Sequence, residues 1–279
     1  MAPLPRPLVL GSGTMRRWAF GLAATTLLFS TAARAEYPVE YTKRPQVVSE
    51  KMLQVRGDLY FNLSKDDFFE PVIIAPSVEY GVTDRFQLAL RHETSFQFNG
   101  GGLIWPGVIN GGDFYNGPGI EAKFEFLHED TYSLAVFGGP YINKFDPFLL
   151  QARAGIGLWA MPVDHFAVNT SAYVGVGITN RETGIVTTNP DVLVVKVQPS
   201  VTPTERLAIF LDLGFYATFQ NFSRSWGLPI GIGAFYTVID KLDIGADFTF
   251  PRIIGANDSG GPRYRQVDLL VRYRFDFAK

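Results

Sequence analysis

Cysteine is absent from the 279-residue chain, and histidine occurs three times. The first absence excludes thiol chemistry, Cys-ligated zinc, iron–sulfur clusters and disulfide staples. The second leaves His92, His128 and His165 widely spaced, with no His-x-x-x-His pair, so neither a metal site nor another cofactor is expected. Charged residues make up 19% of the chain and form no basic stripe with interleaved aromatics, which argues against a nucleic-acid partner. Long apolar runs are missing too: beyond residue 35 no stretch approaches the about 18 apolar residues that a spanning helix needs. If this chain crosses a membrane, it must do so as strands.

What is present begins with a leader. Arg16-Arg17 precede an apolar run from Trp18 to Ala33 that ends in Ala33-Arg34-Ala35, a small-x-small cleavage box. Residues 1–35 therefore read as a secretory signal peptide cleaved near Ala35, with Met1 and Met15 both open as the start. An uncleaved anchor and a twin-arginine signal compete with this reading, but the run is short for a stop-transfer helix. Removing the leader takes out Arg6, Arg16, Arg17 and Arg34 and no acid, leaving 21 basic residues against 27 acidic ones, a charge near −6. Residues 36–51 carry Pro38, Pro45 and scattered charges without periodicity, which predicts a flexible lead-in.

From Met52 onward the pattern changes to period two, the signature of strands with one apolar and one polar face. Val267, Leu269, Val271, Tyr273, Phe275 and Phe277 share one face, and Asp268, Arg272, Arg274 and Asp276 the other. Residues 242–250, 86–96 and 120–126 repeat the scheme.

Five short connections share one chemistry, an acid and a polar or basic residue just before a large apolar one: Thr83-Asp84-Arg85-Phe86, Glu129-Asp130-Thr131-Tyr132, Val163-Asp164-His165-Phe166, Pro203-Thr204-Glu205-Arg206-Leu207 and Ile239-Asp240-Lys241-Leu242. Between them lie longer Gly/Asn/Asp/Pro-rich stretches near 64–72, 99–117, 144–148, 181–191, 218–226 and 252–264. The alternation predicts about twelve strands, with ten or fourteen compatible, at 52–63, 73–81, 86–98, 118–128, 132–143, 149–160, 166–180, 192–201, 207–217, 227–238, 242–251 and 265–277. A soluble sandwich also alternates. The leader, the strand length, the aromatic strand ends and the short–long rhythm of connections favour an all-β, up-and-down transmembrane barrel over residues 52–279.

The closing Tyr273-Arg274-Phe275-Asp276-Phe277 resembles the C-terminal signal by which outer-membrane β-barrels are recognised for assembly, here followed by Ala278-Lys279. The phrase Glu79-Tyr80-Gly81-Val82-Thr83-Asp84-Arg85-Phe86-Gln87-Leu88 is similar to a turn of many uncharacterised barrels, including those described as phenol-degradation-pathway transporters. The resemblance implies a Gram-negative outer-membrane location, with lipids and the barrel-assembly machinery as partners, while the even strand number puts both chain ends of the barrel, with the lead-in 36–51, on the periplasmic side.

On the predicted register the inward face carries Arg56, Asp58, Glu79, Arg91, Glu93, Glu121, Lys123, Glu125, Arg153, Lys196, Asp212, Asp243, Asp247, Asp268, Arg272 and Arg274. Such a lumen either passes small polar or charged solutes or is braced shut by its own ion pairs, because twelve strands fall between filled and open barrels. The longest loop, Asn99 to Gly117, is apolar at Leu103, Ile104 and Trp105, which makes these candidates for a constriction at the barrel mouth.

No enzyme is expected. His92 and Thr94 share an outward face like the His-x-Ser of outer-membrane phospholipases, but Thr replaces Ser and no acid or amide stands by to orient the imidazole. A barrel-type lipid hydrolase is thus a remote alternative. His128 and His165 sit at short turns, away from the outer rim where a barrel protease would need them, and Gly100-Gly101-Gly102 opens no helix that could cradle phosphate.

Overall fold

The structure, a computed structural model, describes residues 37–64, 68, 72–92, 102–104, 115–181, 189–220, 222–256 and 260–277. The leader and the site candidates Glu93 and Trp105, with Thr94, lie outside them.

The strands are β1 (Met52–Asn62), β2 (Val72–Thr83), β3 (Phe86–Arg91), β4 (Gly102–Ile104), β5 (Tyr115–Asn116), β6 (Gly119–His128), β7 (Tyr132–Lys144), β8 (Leu149–Val163), β9 (Phe166–Gly177), β10 (Val192–Thr204), β11 (Leu207–Thr218), β12 (Trp226–Ile239), β13 (Leu242–Gly255) and β14 (Gln266–Asp276). Every neighbouring pair is antiparallel, and β1 pairs with both β14 and β2, so twelve strands close into a ring. Closure gives β1 and β14 partners on both sides, so neither terminal strand is left with an open edge, which is what a strand protein in hydrocarbon requires.

The short pair β4–β5 supplements the ring. Ile104 and Leu103 pair with Ile73 and Ile74 of β2, while β3 pairs with the other half of β2, from Val78 to Thr83. Two of the expected constriction residues, Leu103 and Ile104, therefore have their backbone in the wall.

All five short turns carry a register shift beside them, between Gly81 and Thr83, Glu125 and Leu127, Ala160 and Val163, Val201 and Thr204, and Thr237 and Ile239. Bulges at a barrel rim sharpen the local twist where the chain must reverse. The acid-bearing turns and these bulges mark one common end of the barrel, here called the short-turn end.

Alternation sorts the two faces. Ile120, Ile156, Ile232 and Val271 are more than half exposed on the outer surface, and Tyr132, Tyr236 and Phe275 add aromatics near the short-turn end. An apolar belt this extensive is a hydrocarbon-facing surface, with the rings placed where a barrel meets the lipid headgroups. The polar alternates point inward and are buried: Gln54, Asp58, Gln87, Glu121, Gln151, Asp243, Asp268 and Arg274.

Candidate functional site: the lumen and the segment across its mouth

The inward charges gather in distinct groups. Arg91 bridges Glu79 at 3.1 Å and Glu121 at 2.9 Å, and Glu121 also accepts the Tyr141 hydroxyl at 2.7 Å. These residues come from four different strands, β2, β3, β6 and β7, so the ion pairs tie the wall laterally.

A second group surrounds Asp243, which is fully buried. Arg274 donates to both of its carboxylate oxygens, at 2.8 and 2.9 Å, and Arg272 stands 3.7 Å away. A third group lies farther along β13 and β14 and on the adjoining β1: Arg56 donates to Asp58 at 2.7 to 2.9 Å, and Asp247 and Asp268 face each other across the β13–β14 ladder.

The remaining candidates are spread between these groups. Asp212 accepts from Gln198 at 2.8 Å, Lys123 lies over the Phe137 ring, and Arg153 stacks on Tyr141 with its guanidinium carbon 3.9 Å from the ring centre. Lys196 lines the lumenal cavity, and Glu125 meets His128 at a short turn.

The histidines have structural partners. His92 Nδ1 contacts the Pro76 carbonyl at 2.6 Å, and His165 Nδ1 contacts Glu40 at 2.7 Å.

The segment read as a flexible lead-in is not free of the barrel. Residues Tyr37 to Lys51 run across the short-turn mouth inside the ring, with Thr42 and Val47 almost wholly buried. This corrects the expectation for 36–51 over its described part. The absence of periodicity reflects a chain that binds through side chains; it is not a sign of disorder.

The contacts follow the segment around the ring. Arg44 donates to Asp243 at 2.7 and 3.1 Å and to Thr237 at 3.0 Å, while also binding the Pro38 and Val39 carbonyls of its own segment. The Thr42 and Thr202 hydroxyls both reach Glu40 Oε1, at 2.9 and 2.8 Å, and Trp159 donates to the Thr42 carbonyl at 3.0 Å. Gln46 donates to Ser133 at 2.9 Å, and the Val48 amide donates to Gln87 at 2.8 Å.

Burial raises the Glu40 carboxyl, but hydrogen bonds from Lys43, Thr202, Thr42 and His165 outweigh it and hold the group down at about 2. Lys43 is raised by its bond to Glu40, 2.9 Å away.

Two features of the wall are shaped to receive the segment. A Cβ on Gly81 would lie 2.0 Å from the Ser49 carbonyl oxygen, and one on Gly157 would lie 2.5 Å from Gln46 Oε1. Phe210 and Phe235 are buried on the lumen face, stacked at 4.7 Å, and Tyr41 stacks on Phe235 at 5.0 Å. These aromatics occupy positions where alternation calls for polar side chains. That mismatch is a signal in the sequence pointing to an apolar seat within the lumen.

Against the segment lies a cavity of about 310 Å³. Among the described residues its lining includes five basic side chains, Arg44, Arg91, Lys123, Lys196 and Arg272, and two acidic ones, Glu79 and Asp212. Charges of both signs thus share one partly open space.

The fold is that of an outer-membrane porin barrel. The structure superposes on that of NanC porin with a TM-score of 0.55, at 7% identity, covering 79% of this chain and 98% of that one. It superposes on KdgM porin in complex with disordered oligogalacturonate with a TM-score of 0.53, at 9% identity, covering 80% and 99%. No family model and no curated protein matches by sequence.

Proposed function

We propose that the chain is a passive channel of the bacterial outer membrane for small polar or charged solutes, made with a signal peptide cleaved near Ala35. The observation that carries this reading is the polar cavity inside a closed barrel with an apolar outer belt. A wall meant only to be filled has no use for a partly open space lined by seven charged side chains. The porin fold of the two superposed structures supports the same reading.

In outer-membrane barrels the short turns face the periplasm and the long loops the exterior. On that orientation the segment Tyr37–Lys51 lies at the periplasmic mouth, and the chain's final aromatics serve the assembly machinery. The basic excess around the cavity favours anions over cations among charged solutes.

The second reading is a non-transporting barrel, favoured by the Asp243 group, where three arginines and the docked segment occupy the short-turn end. Single-channel conductance of the folded protein in a planar bilayer separates the two. Stable current with a reversal potential set by anions supports the channel. Silence from folded, heat-modifiable protein supports the braced barrel.

A further inference from the structure

The twelve-strand ring closes without the N-terminal segment, since β1 pairs on one side with β14 and on the other with β2. Among the described residues the segment joins the ladder at its end, through the Glu50–Gly81 bridge, the Lys51 amide on the Gly81 carbonyl at 2.8 Å and the Phe277 amide on the Lys51 carbonyl at 3.1 Å. Everything before that is held by side chains. It can therefore leave its seat without costing the wall a ladder bond.

We propose that Tyr37–Lys51 is a releasable plug of the short-turn mouth, latched by Arg44 on Asp243 and turning about Lys51.

The latch has the right chemistry for release. Asp243 is shared by Arg44 and Arg274, with Arg272 nearby, so withdrawing Arg44 into water leaves the buried carboxylate still paired and relieves the crowding of like charges. The same guanidinium binds the Pro38 and Val39 carbonyls, so the latch and the fold of the plug are one unit.

The seat is built for this occupant. Gly81 and Gly157 leave room where a Cβ would strike Ser49 and Gln46, and Tyr41 covers the buried Phe235. An aromatic patch inside an aqueous lumen is covered by the plug when docked and wetted when it leaves, which makes docking favourable but finite.

The pivot is local. Lys51 has φ of 57°, the left-handed region that a non-glycine residue seldom adopts, immediately before β1 begins at Met52. A single residue in that conformation sets the direction in which the plug departs from the wall.

The proposal rests on the channel reading for its electrical arm only, and hydrogen–deuterium exchange in liposomes tests it independently. Wild-type amides of 37–50 are expected to exchange well before those of the strands, and Arg44→Ala to speed them by about tenfold or more while the strands are unchanged. The chain has no cysteine, so Thr42→Cys with Thr202→Cys, whose hydroxyl oxygens lie 3.1 Å apart, introduces a single reducible lock. Oxidation should slow exchange in the plug and hold the channel at its lowest current, and reduction should reverse both.

Exchange of 37–50 in step with the strands, unaffected by Arg44→Ala, would overturn the plug. So would identical currents from the oxidised and reduced pair in a conducting protein. Release seen by exchange in a barrel that never conducts would sustain the plug and sink the channel.

Discussion

Arg44 and Asp243 stand 199 residues apart in the chain and meet at 2.7 Å, with neither side chain more than 5% exposed. Arg44 directly follows the 3-10 turn Tyr41–Lys43, and Asp243 belongs to the second residue pair of the β13–β14 ladder, where it faces Arg272 of β14. Their contact makes the closing edge of the barrel and its mouth parts of one electrostatic unit.

Removing the acid is expected to be far worse than removing the base. Asp243→Asn would remove the buried carboxylate that Arg44, Arg272 and Arg274 share, which should lower barrel stability by about 3–5 kcal/mol. Urea unfolding from liposomes, followed by tryptophan fluorescence, measures this. Arg44→Ala should alter the same midpoint much less, and equal losses from the two variants would show that Asp243 is not the centre of the group.

The outer face has its own test. Ile156, at the middle of the 15-residue strand β8, is 60% exposed. Ile156→Arg should cost about 2–4 kcal/mol in a bilayer, the value for a basic side chain at the midplane. A change near zero would place this position at an interface or inside the lumen.

Selectivity should follow the cavity charges. Lys123→Glu combined with Lys196→Glu changes the balance around the cavity from five basic and two acidic side chains to three and four. Reversal potentials in a salt gradient should then shift from anion towards cation preference, and the shift should shrink as ionic strength rises. Unchanged reversal potentials would mean that ions bypass this space.

Plug docking should weaken in acid. Glu40 is held at about 2 in the docked state against an ordinary value of 4.5, so its contribution is complete above 4.5 and is lost progressively as pH falls towards 2. Lys43, raised by the same bond, contributes fully below its ordinary value of 10.5 and loses that contribution as pH rises through its raised value. Exchange rates of residues 37–50 at constant chemical-exchange correction should therefore be lowest between these limits. Glu40→Gln should flatten the acid side.

Gly81→Ala probes the seat from the opposite direction. Its Cβ would meet backbone oxygens of Ser49 and Val48, at 2.0 and 2.3 Å, and backbone cannot rotate away as a side chain can. The variant should accelerate exchange in 48–51 and raise the time spent at the higher current level. A plug as protected as in the wild type would show that the wall yields instead.

The strands were legible because each side chain in a barrel wall faces one of two media, and a period-two pattern records that choice directly. The boundaries of β1, β7 and β11 fall within one residue at each end of those expected from the alternation, since the acid-bearing turns that separate hairpins are local chemistry. Glu79, Arg91 and Glu121 could each be assigned to the inward face for the same reason. Their mutual pairing could not, because it depends on the stagger of three separate hairpin arms.

Tyr41, Arg44 and Gln46 were beyond any local rule. Their partners Phe235, Asp243 and Ser133 lie in strands that only ring closure brings around the same mouth. A chain that docks through scattered side chains leaves no periodic trace, since its spacing is dictated by the surface it lies on. The amino-acid sequence by itself determined that this protein is a barrel and which face of each strand meets lipid, for alternation needs only nearest neighbours. That the barrel carries its own N-terminal segment across its mouth was decided by tertiary structure alone, because closing the ring creates the buried carboxylate, the glycine clefts and the aromatic seat that hold it.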